Sequence, residues 1–117
     1  MLDDSVTRRE IDIALETTIR EGFGFNHSLC HGDLGNLELL LQIIYKLKKT
    51  TLISDFKYLT AMIINDIEQN GWRCGVDFDI ETPGLMVGLA GIGYQLLRIA
   101  EPDRVPSILL LEPPVCN

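Results

Sequence analysis

The sequence predicts an all-α chain built from two helical hairpins, and three observations support this fold class. Apolar side chains recur every three or four residues in four separate segments, which is the spacing of a helix with one buried face. Aliphatic residues are frequent, whereas aromatic residues make up only 7% of the chain. A Gly-x-x-Gly pattern followed by a leucine pair occurs twice, starting at Gly32 and again at Gly88. Such a repeat predicts stacked units that bury their apolar faces only against neighbours.

The first helix is predicted from about residue 6 to residue 21. Thr7 and Glu10 have the spacing of a capping box, in which the two ends of the first turn bond each other. An apolar stripe then repeats every four residues, and charged side chains occupy the other face: Ile11, Leu15 and Ile19 form the stripe. This pattern is typical of an amphipathic helix on an outer surface.

The second and third helices complete the first hairpin and begin the next. A helix from about residue 33 to residue 48 is apolar on most of its circumference, which predicts burial on most sides. The third helix is predicted to begin at a Ser54 cap and to run to about Gln69. Asn70 and Gly71 then end it, because this dipeptide favours a turn.

The fourth helix is predicted to begin at Thr82 as its cap, with Pro83 at the first helical position, where proline is favoured. Its apolar residues follow a rhythm of four and three: Leu85, Leu89, Ile92, Leu96 and Ile99. Pro102 closes it, and the proline-rich segment from Arg104 is expected to lie as an extended tail against the body. The acidic loop before this helix, residues 76–81, lacks the spacing of a calcium loop and is expected to be solvated.

Composition excludes several classes of function. A length of 117 residues allows one domain with its own core, and a formal charge of −7 argues against nonspecific binding of nucleic acid. The N-terminus is acidic where a signal peptide would be basic, and three widely spaced cysteines suggest reduced thiols. We therefore expect a cytoplasmic protein. The apolar run at residues 83–97 is about 15 residues long, which is short of the roughly 20 that span a bilayer.

Cys30 and His31 stand side by side just before the second helix. A helix N-terminus favours negative charge and hence a cysteine thiolate, and zinc accepts both cysteine sulfur and histidine nitrogen. Two residues supply only two of the three or four protein ligands that zinc usually has. On spacing alone, the alternative is a buried cysteine beside a polar neighbour. His27 is expected to bond backbone or water, and Cys74 to be a loop or core thiol, so neither is assigned as a ligand.

Two stretches resemble a known family. Residues 28–36, Ser-Leu-Cys-His-Gly-Asp-Leu-Gly-Asn, resemble the Cys-His-Gly motif of the lanthionine synthetase (LanC-like) cyclases. Residues 81–94 resemble the last conserved stretch of the same domain, and residues 105–114 are most like the end of the bifunctional class II lantibiotic synthetases (LanM). The resemblance begins at about Asn26 and matches only the final part of a much longer cyclase domain.

The resemblance implies an α/α toroid of seven helical hairpins, of which this chain would hold about two. Residues 1–117 would then be a C-terminal fragment of the cyclase domain. Cys30 and His31 would be two of three protein ligands to Zn²⁺, and the third cysteine and the acid–base residues would lie upstream. No catalytic residue is assigned within the chain. The implied reaction adds cysteine thiols of a lanthipeptide precursor to dehydroalanine or dehydrobutyrine, giving thioether rings, and the chain alone is expected to be inactive.

Two other functions stay open at this point. The chain could be a non-catalytic helical-repeat module that docks onto another protein through its inner helices. It could also be one piece of an enzyme that a partner polypeptide carrying the upstream hairpins completes. The absence of assigned catalytic residues favours the first alternative, and the Cys30–His31 pair disfavours it.

Overall fold

The computed structural model describes residues 4–116, and all regular secondary structure in this range is helical, with no strand. The all-α prediction is confirmed. Two single turns of 3₁₀-helix, Thr50–Leu52 and Asp77–Asp79, lie between the longer helices. The four α-helices are α1 (Ser5–Glu21), α2 (Asp33–Lys46), α3 (Ile53–Asn70) and α4 (Leu89–Ala100).

Helix α2 lies at the centre and packs against each of the other three helices. Its side chains Leu34, Leu37 and Leu40 are fully buried, and Ile63 of α3 and Ile92 of α4 meet them in the core. Each such side chain contributes about 1.5–3 kcal/mol by leaving water. Helices α1 and α3 keep most of their residues exposed, so they are the outer helices and α2 and α4 the inner ones.

The two inner helices begin with the same turn, as the sequence repeat predicts. The carbonyl oxygen of Asn26 accepts the Asp33 N–H at 2.7 Å, and that of Thr82 accepts the Leu89 N–H at 2.8 Å. Each residue of the second turn lies 56 positions after its counterpart in the first, since 82 − 26 = 56 and 89 − 33 = 56. The chain therefore contains two copies of one helical hairpin, each with its inner helix entered through the same loop.

Two predicted helix caps are wrong, although both helices begin close to their predicted starts. Helix α1 is capped by Asp4, whose carboxylate accepts the Thr7 N–H at 2.8 Å, so Thr7 lies inside the first turn. Asp4 caps the helix in place of Thr7, because its carboxylate accepts a hydrogen bond from one of the free N–H groups of the first turn. Helix α3 begins at Ile53, directly after a 3₁₀ turn and without a side-chain cap, so Ser54 is its second residue.

Helix α4 begins at Leu89, seven residues after the predicted Thr82 cap. Thr82 is used differently: its carbonyl oxygen closes the turn onto Leu89, and Gly88 caps the helix. The apolar run at 83–97 is thus divided between a turn and a buried helix. No helix within residues 4–116 is long and apolar enough to cross a lipid bilayer.

The tail after α4 contains no helix between residues 101 and 116, and it packs against the body as expected. Ser107 is buried, and the Tyr94 hydroxyl donates a hydrogen bond to the Pro106 carbonyl at 2.7 Å. Underneath, Arg98 of α4 donates from Nε to Glu38 of α2 at 2.9 Å and from Nη1 to the Val105 carbonyl at 2.5 Å. One buried ion pair therefore joins both inner helices to the tail.

An open apolar groove of about 520 Å³ lies between α3 and α4. Trp72 forms part of its wall, and the other apolar lining residues are Ile64, Ile67, Leu96, Ile99 and Ala100. The repeat reveals a second open side of α4, which carries Leu97 and does not line this groove. Leu97 is 62% exposed, whereas its counterpart Leu41 on α2 is 2% exposed. The side of α4 that carries Leu97 is therefore largely uncovered by residues 4–116, although the equivalent side of α2 is buried.

Candidate functional site

Cys30 and His31 lie in the turn that leads into α2, and both side chains are exposed. The Cys30 sulfur is 2.7 Å from Nδ1 of the His31 ring. The two side chains predicted as ligands therefore point at one another, with the imidazole presenting Nδ1 to the sulfur. Gly32 follows as the cap of α2, which places the pair just outside the positive end of a buried helix.

Backbone hydrogen bonds hold this turn against its repeat counterpart. The N–H groups of Leu29 and Cys30 both donate to the Met86 carbonyl, at 3.2 and 3.0 Å. The segment after α3 joins them, because the Gly75 N–H donates to the Val87 carbonyl at 2.7 Å. Three loops thus meet around the Cys30–His31 pair, and each positions the others through main-chain groups that cannot swing away.

His27 is fully buried beneath this pair and links the loop to the end of α3. It exchanges two hydrogen bonds with Arg73: the His27 N–H donates to the Arg73 carbonyl at 2.7 Å, and the Arg73 N–H donates to the His27 Nδ1 at 3.0 Å. Since Nδ1 accepts, Nε2 carries the ring hydrogen and donates it to Asp66 at 2.8 Å. The prediction of a histidine bonded to the backbone is confirmed.

Asp66 anchors this arrangement as a carboxylate. Burial would raise the pKa of Asp66, but hydrogen bonds from Asn70, His27 and Arg73 outweigh it and hold that pKa below its ordinary value. The Arg73 guanidinium donates to Asp66 Oδ2, the oxygen that also accepts from His27, from Nε at 3.0 Å and from Nη2 at 2.5 Å. Sequence reasoning did not find Asp66, because its partners lie in two other segments of the chain.

Asp33 is a second carboxylate that sequence reasoning left out. It is 2% exposed and accepts hydrogen bonds from the N–H groups of Gly24, at 3.1 Å, and Phe25, at 3.3 Å. As the first residue of α2, it also faces the positive end of the helix dipole. It therefore ties the connector after α1 to the turn that carries Cys30. An acid directly after the Cys-His-Gly motif was the available signal.

Gly75 and Ser28 form the far side of the His31 ring. A Cβ at Gly75 would lie 2.7 Å from Cε1 and 2.9 Å from Nε2 of His31, so a side chain there would require the imidazole to shift. The same point is 2.6 Å from the Ser28 hydroxyl oxygen. That oxygen is buried and has no hydrogen-bond partner among the residues that the structure describes.

The donor set fits two positions of a zinc site. A sulfur and an imidazole nitrogen that share a tetrahedral zinc lie about 3.5 Å apart, so the 2.7 Å pair would open slightly around the ion. No group of three or more histidine, cysteine or acidic side chains placed to share a metal occurs within residues 4–116. Cys74 is 5% exposed, and its sulfur is 3.9 Å from the Thr82 carbonyl oxygen, so the prediction of a core thiol is confirmed.

Comparison with known proteins gives two findings. A family profile described as lanthionine synthetase C-like protein matches residues 1–110. The chain is also 32% identical over 94 residues to a protein of Lactococcus lactis subsp. lactis that is described as a lacticin 481/lactococcin biosynthesis protein. That match covers 78% of this chain and 10% of the relative, so the chain spans about a tenth of the relative's length.

Proposed function

Because the chain belongs to the lanthionine synthetase C-like family, we propose that it forms part of a lanthipeptide cyclase whose zinc is held by Cys30 and His31. The observation that carries this proposal is the 2.7 Å contact between the Cys30 sulfur and the His31 Nδ1. A soft sulfur and an imidazole nitrogen converge there, both exposed, on a turn that three loops hold in place. Exposure matters because a catalytic zinc needs an open position for its substrate.

The proposed reaction joins a cysteine of the precursor peptide to a dehydroalanine or dehydrobutyrine of the same peptide. The thiol adds across the carbon–carbon double bond: the sulfur bonds to the β-carbon, and a proton ends on the α-carbon, with no change in oxidation state. Zinc, when bound, supplies the Lewis acid that favours the thiolate form of the substrate cysteine. Cys30 and His31 contribute two ligands and leave the approach from solvent open.

The remaining groups of the reaction are proposed to come from outside these residues. A third zinc ligand is needed because Cys30 and His31 supply two, and an acid is needed to protonate the α-carbon. The uncovered face of α4, marked by the exposed Leu97, supports the idea that further hairpins of a toroid pack beside this one. The precursor peptide and that upstream part of the synthetase are the proposed partners.

Zinc titration of the 117-residue chain tests the ligand assignment. We expect weak 1:1 binding, because a site with two protein ligands is under-coordinated. Cys30→Ala should abolish it, and His31→Gly should weaken it by more than about tenfold, since a ligand matters at least as much as the groups that orient it. Isothermal calorimetry, with a chelator as competitor, measures both changes.

Cys116→Ala is the matched control, because Cys116 is also an exposed free thiol but lies in the tail. It should bind zinc as the wild-type chain does. Equal zinc affinity in Cys30→Ala, His31→Gly and the wild-type chain would remove the assignment. Tight stoichiometric binding that depends on Cys30 would instead mean that another residue of this chain completes the site.

A docking module is the second candidate, and the open groove between α3 and α4 is the observation that favours it. The two candidates differ in what happens when the upstream hairpins are added as a separate polypeptide. A cyclase piece should restore thioether formation on a dehydrated precursor peptide. A module that only docks should bind the added polypeptide and form no thioether.

A further inference from the structure

The Ser28 hydroxyl lies in the same turn as the metal-binding pair, and the proposed function does not use it. Its side chain is completely buried, and its oxygen has no hydrogen-bond partner in the part of the chain that the structure describes. Buried hydroxyl groups are normally paired, because burial without a partner costs free energy. A Cβ built on Gly75 would lie 2.6 Å from the Ser28 oxygen and 2.9 Å from Nε2 of His31, so both atoms face the small space left by Gly75.

The second copy of the turn shows that this hydroxyl is not needed to build it. The counterpart of Ser28 at the offset of 56 residues is Gly84, and the counterparts of Cys30 and His31 are Met86 and Val87. The second turn nevertheless closes with the same backbone hydrogen bond into its inner helix. The hydroxyl is therefore present in the copy that carries an imidazole and absent from the copy that carries none.

The orientation of the His31 ring indicates a role for the Ser28 hydroxyl in fixing the tautomer of the ring. Nδ1 faces the Cys30 sulfur, so it is the ring nitrogen available to a metal, and it must then carry no hydrogen. In that tautomer Nε2 carries the hydrogen and donates it, and metal-bound histidines regularly use such an acceptor to fix the ring. The Ser28 oxygen is an unpaired acceptor that faces the same small space as Nε2.

We propose that Ser28 is a positioning residue for the zinc site: a small turn of the exposed His31 ring lets the Ser28 hydroxyl oxygen, which is unpaired in the structure, accept a hydrogen bond from Nε2–H, and this bond keeps Nδ1 free for the metal. Gly75 leaves room for this, because a Cβ there would lie within 3 Å of both groups and force at least one of them to move. The zinc half of this inference rests on the proposed function, whereas the choice of tautomer does not. Ser28 acts only through His31 and touches neither the metal nor the substrate.

The test uses the full 117-residue chain and two measurements. Nitrogen-15 NMR of the His31 ring reports the tautomer without metal, and competition titration with zinc alone reports affinity. The variants are Ser28→Gly, which copies the second turn, and Ser28→Ala. We expect the Nε2–H tautomer to dominate in the wild-type chain and to lose that dominance in both variants. Zinc affinity should fall by about tenfold, as for other residues that orient a ligand.

Gly84→Ser is the matched control. It adds the same hydroxyl to the second turn, where a Cβ would have its nearest neighbours at 3.7 and 3.9 Å and so fits without strain. It should change neither the His31 tautomer nor zinc affinity. An unchanged His27 ring signal in every variant shows that the hydrogen bonds of His27 to Asp66 and Arg73 are intact.

The outcomes separate this inference from the proposed function. If the chain binds zinc through Cys30 and His31, and Ser28→Gly and Ser28→Ala match the wild-type chain in tautomer and affinity, the role of Ser28 is overturned while the zinc site stands. If the tautomer depends on Ser28 but no zinc binds to the pair, the hydrogen bond is supported and the proposed function fails. A shift of both readouts in the Ser28 variants alone supports both.

Discussion

Arg98→Met is expected to lower the free energy of unfolding by about 3–5 kcal/mol, because it leaves the Glu38 carboxylate buried without its cation. Both side chains are within 5% of complete burial, and Arg98 Nε lies 2.9 and 3.0 Å from the two Glu38 oxygens. Methionine keeps most of the apolar length of the arginine, so the loss reports the missing charge and donors rather than a cavity. Urea unfolding followed by circular dichroism measures it.

A double variant distinguishes two free energies: the destabilisation caused by leaving one buried charge unpaired, and the net contribution of the intact ion pair to stability. Glu38→Leu with Arg98→Met replaces both charges by apolar groups, and it should recover a large part of the stability lost in Arg98→Met. The exposed pair of Lys49 and Asp12, which are 2.9 Å apart, is the control. Asp12→Asn should change stability by about 1 kcal/mol or less. Equal losses at the two pairs would contradict the burial argument.

Because of the same pair, the wild-type chain should lose stability as the pH falls. Burial would raise the pKa of Glu38, but hydrogen bonds from Arg98, Gln42, Gln95 and Ser107 prevail and hold it below its ordinary value of 4.5. A carboxyl whose pKa is lowered by folding stabilises the folded state fully above its unfolded pKa. That stability is lost as the pH falls below 4.5 through the lowered folded pKa. Glu38→Leu with Arg98→Met should show a shallower loss over this range.

The helices could be predicted because their signals are local. Apolar spacing placed α2 at the centre, and the glycine repeat predicted two hairpins entered through equivalent turns. The Cys-His pair was found because its two members are adjacent in sequence and precede a helix. In each case the interacting residues lie within one or two helical turns, so a single stretch of sequence contains both partners.

Long-range polar contacts could not be predicted in this way. Glu38 and Arg98 are 60 residues apart, and His27 and Asp66 are 39 apart, so nothing in either local segment indicates its partner. The predicted start of α4 is wrong for a different reason. Thr82 and Pro83 are a valid helix start locally, but the hydrogen bond from Leu89 N–H to the Thr82 carbonyl makes them part of a turn. The repeat indicates the correct start, since Gly88, the cap of α4, corresponds to Gly32, the cap of α2.

Gly91→Ala is expected to destabilise the chain by about 1–3 kcal/mol, because the new methyl group has no room. A Cβ on Gly91 would overlap the carbonyl oxygen of Leu85 and would lie 3.3 Å from the Cβ of Leu29. The obstacle is backbone, which cannot rotate aside as the end of a side chain can. The turn that contains Leu85 would have to move, and it supplies the Met86 carbonyl that holds the N–H groups of Leu29 and Cys30.

Gly93→Ala is the control, two residues further along the same helix. A Cβ there meets nothing within 4 Å, so alanine should stabilise α4 by about 0.5–1 kcal/mol through its better helix propensity. The two variants make the same chemical change in one helix and should shift the urea midpoint in opposite directions. A loss of equal size in both would mean that the close approach at Leu85 is not what demands glycine. A loss in Gly91→Ala alone, with weaker zinc binding, would trace the support of the Cys30 turn to the start of α4.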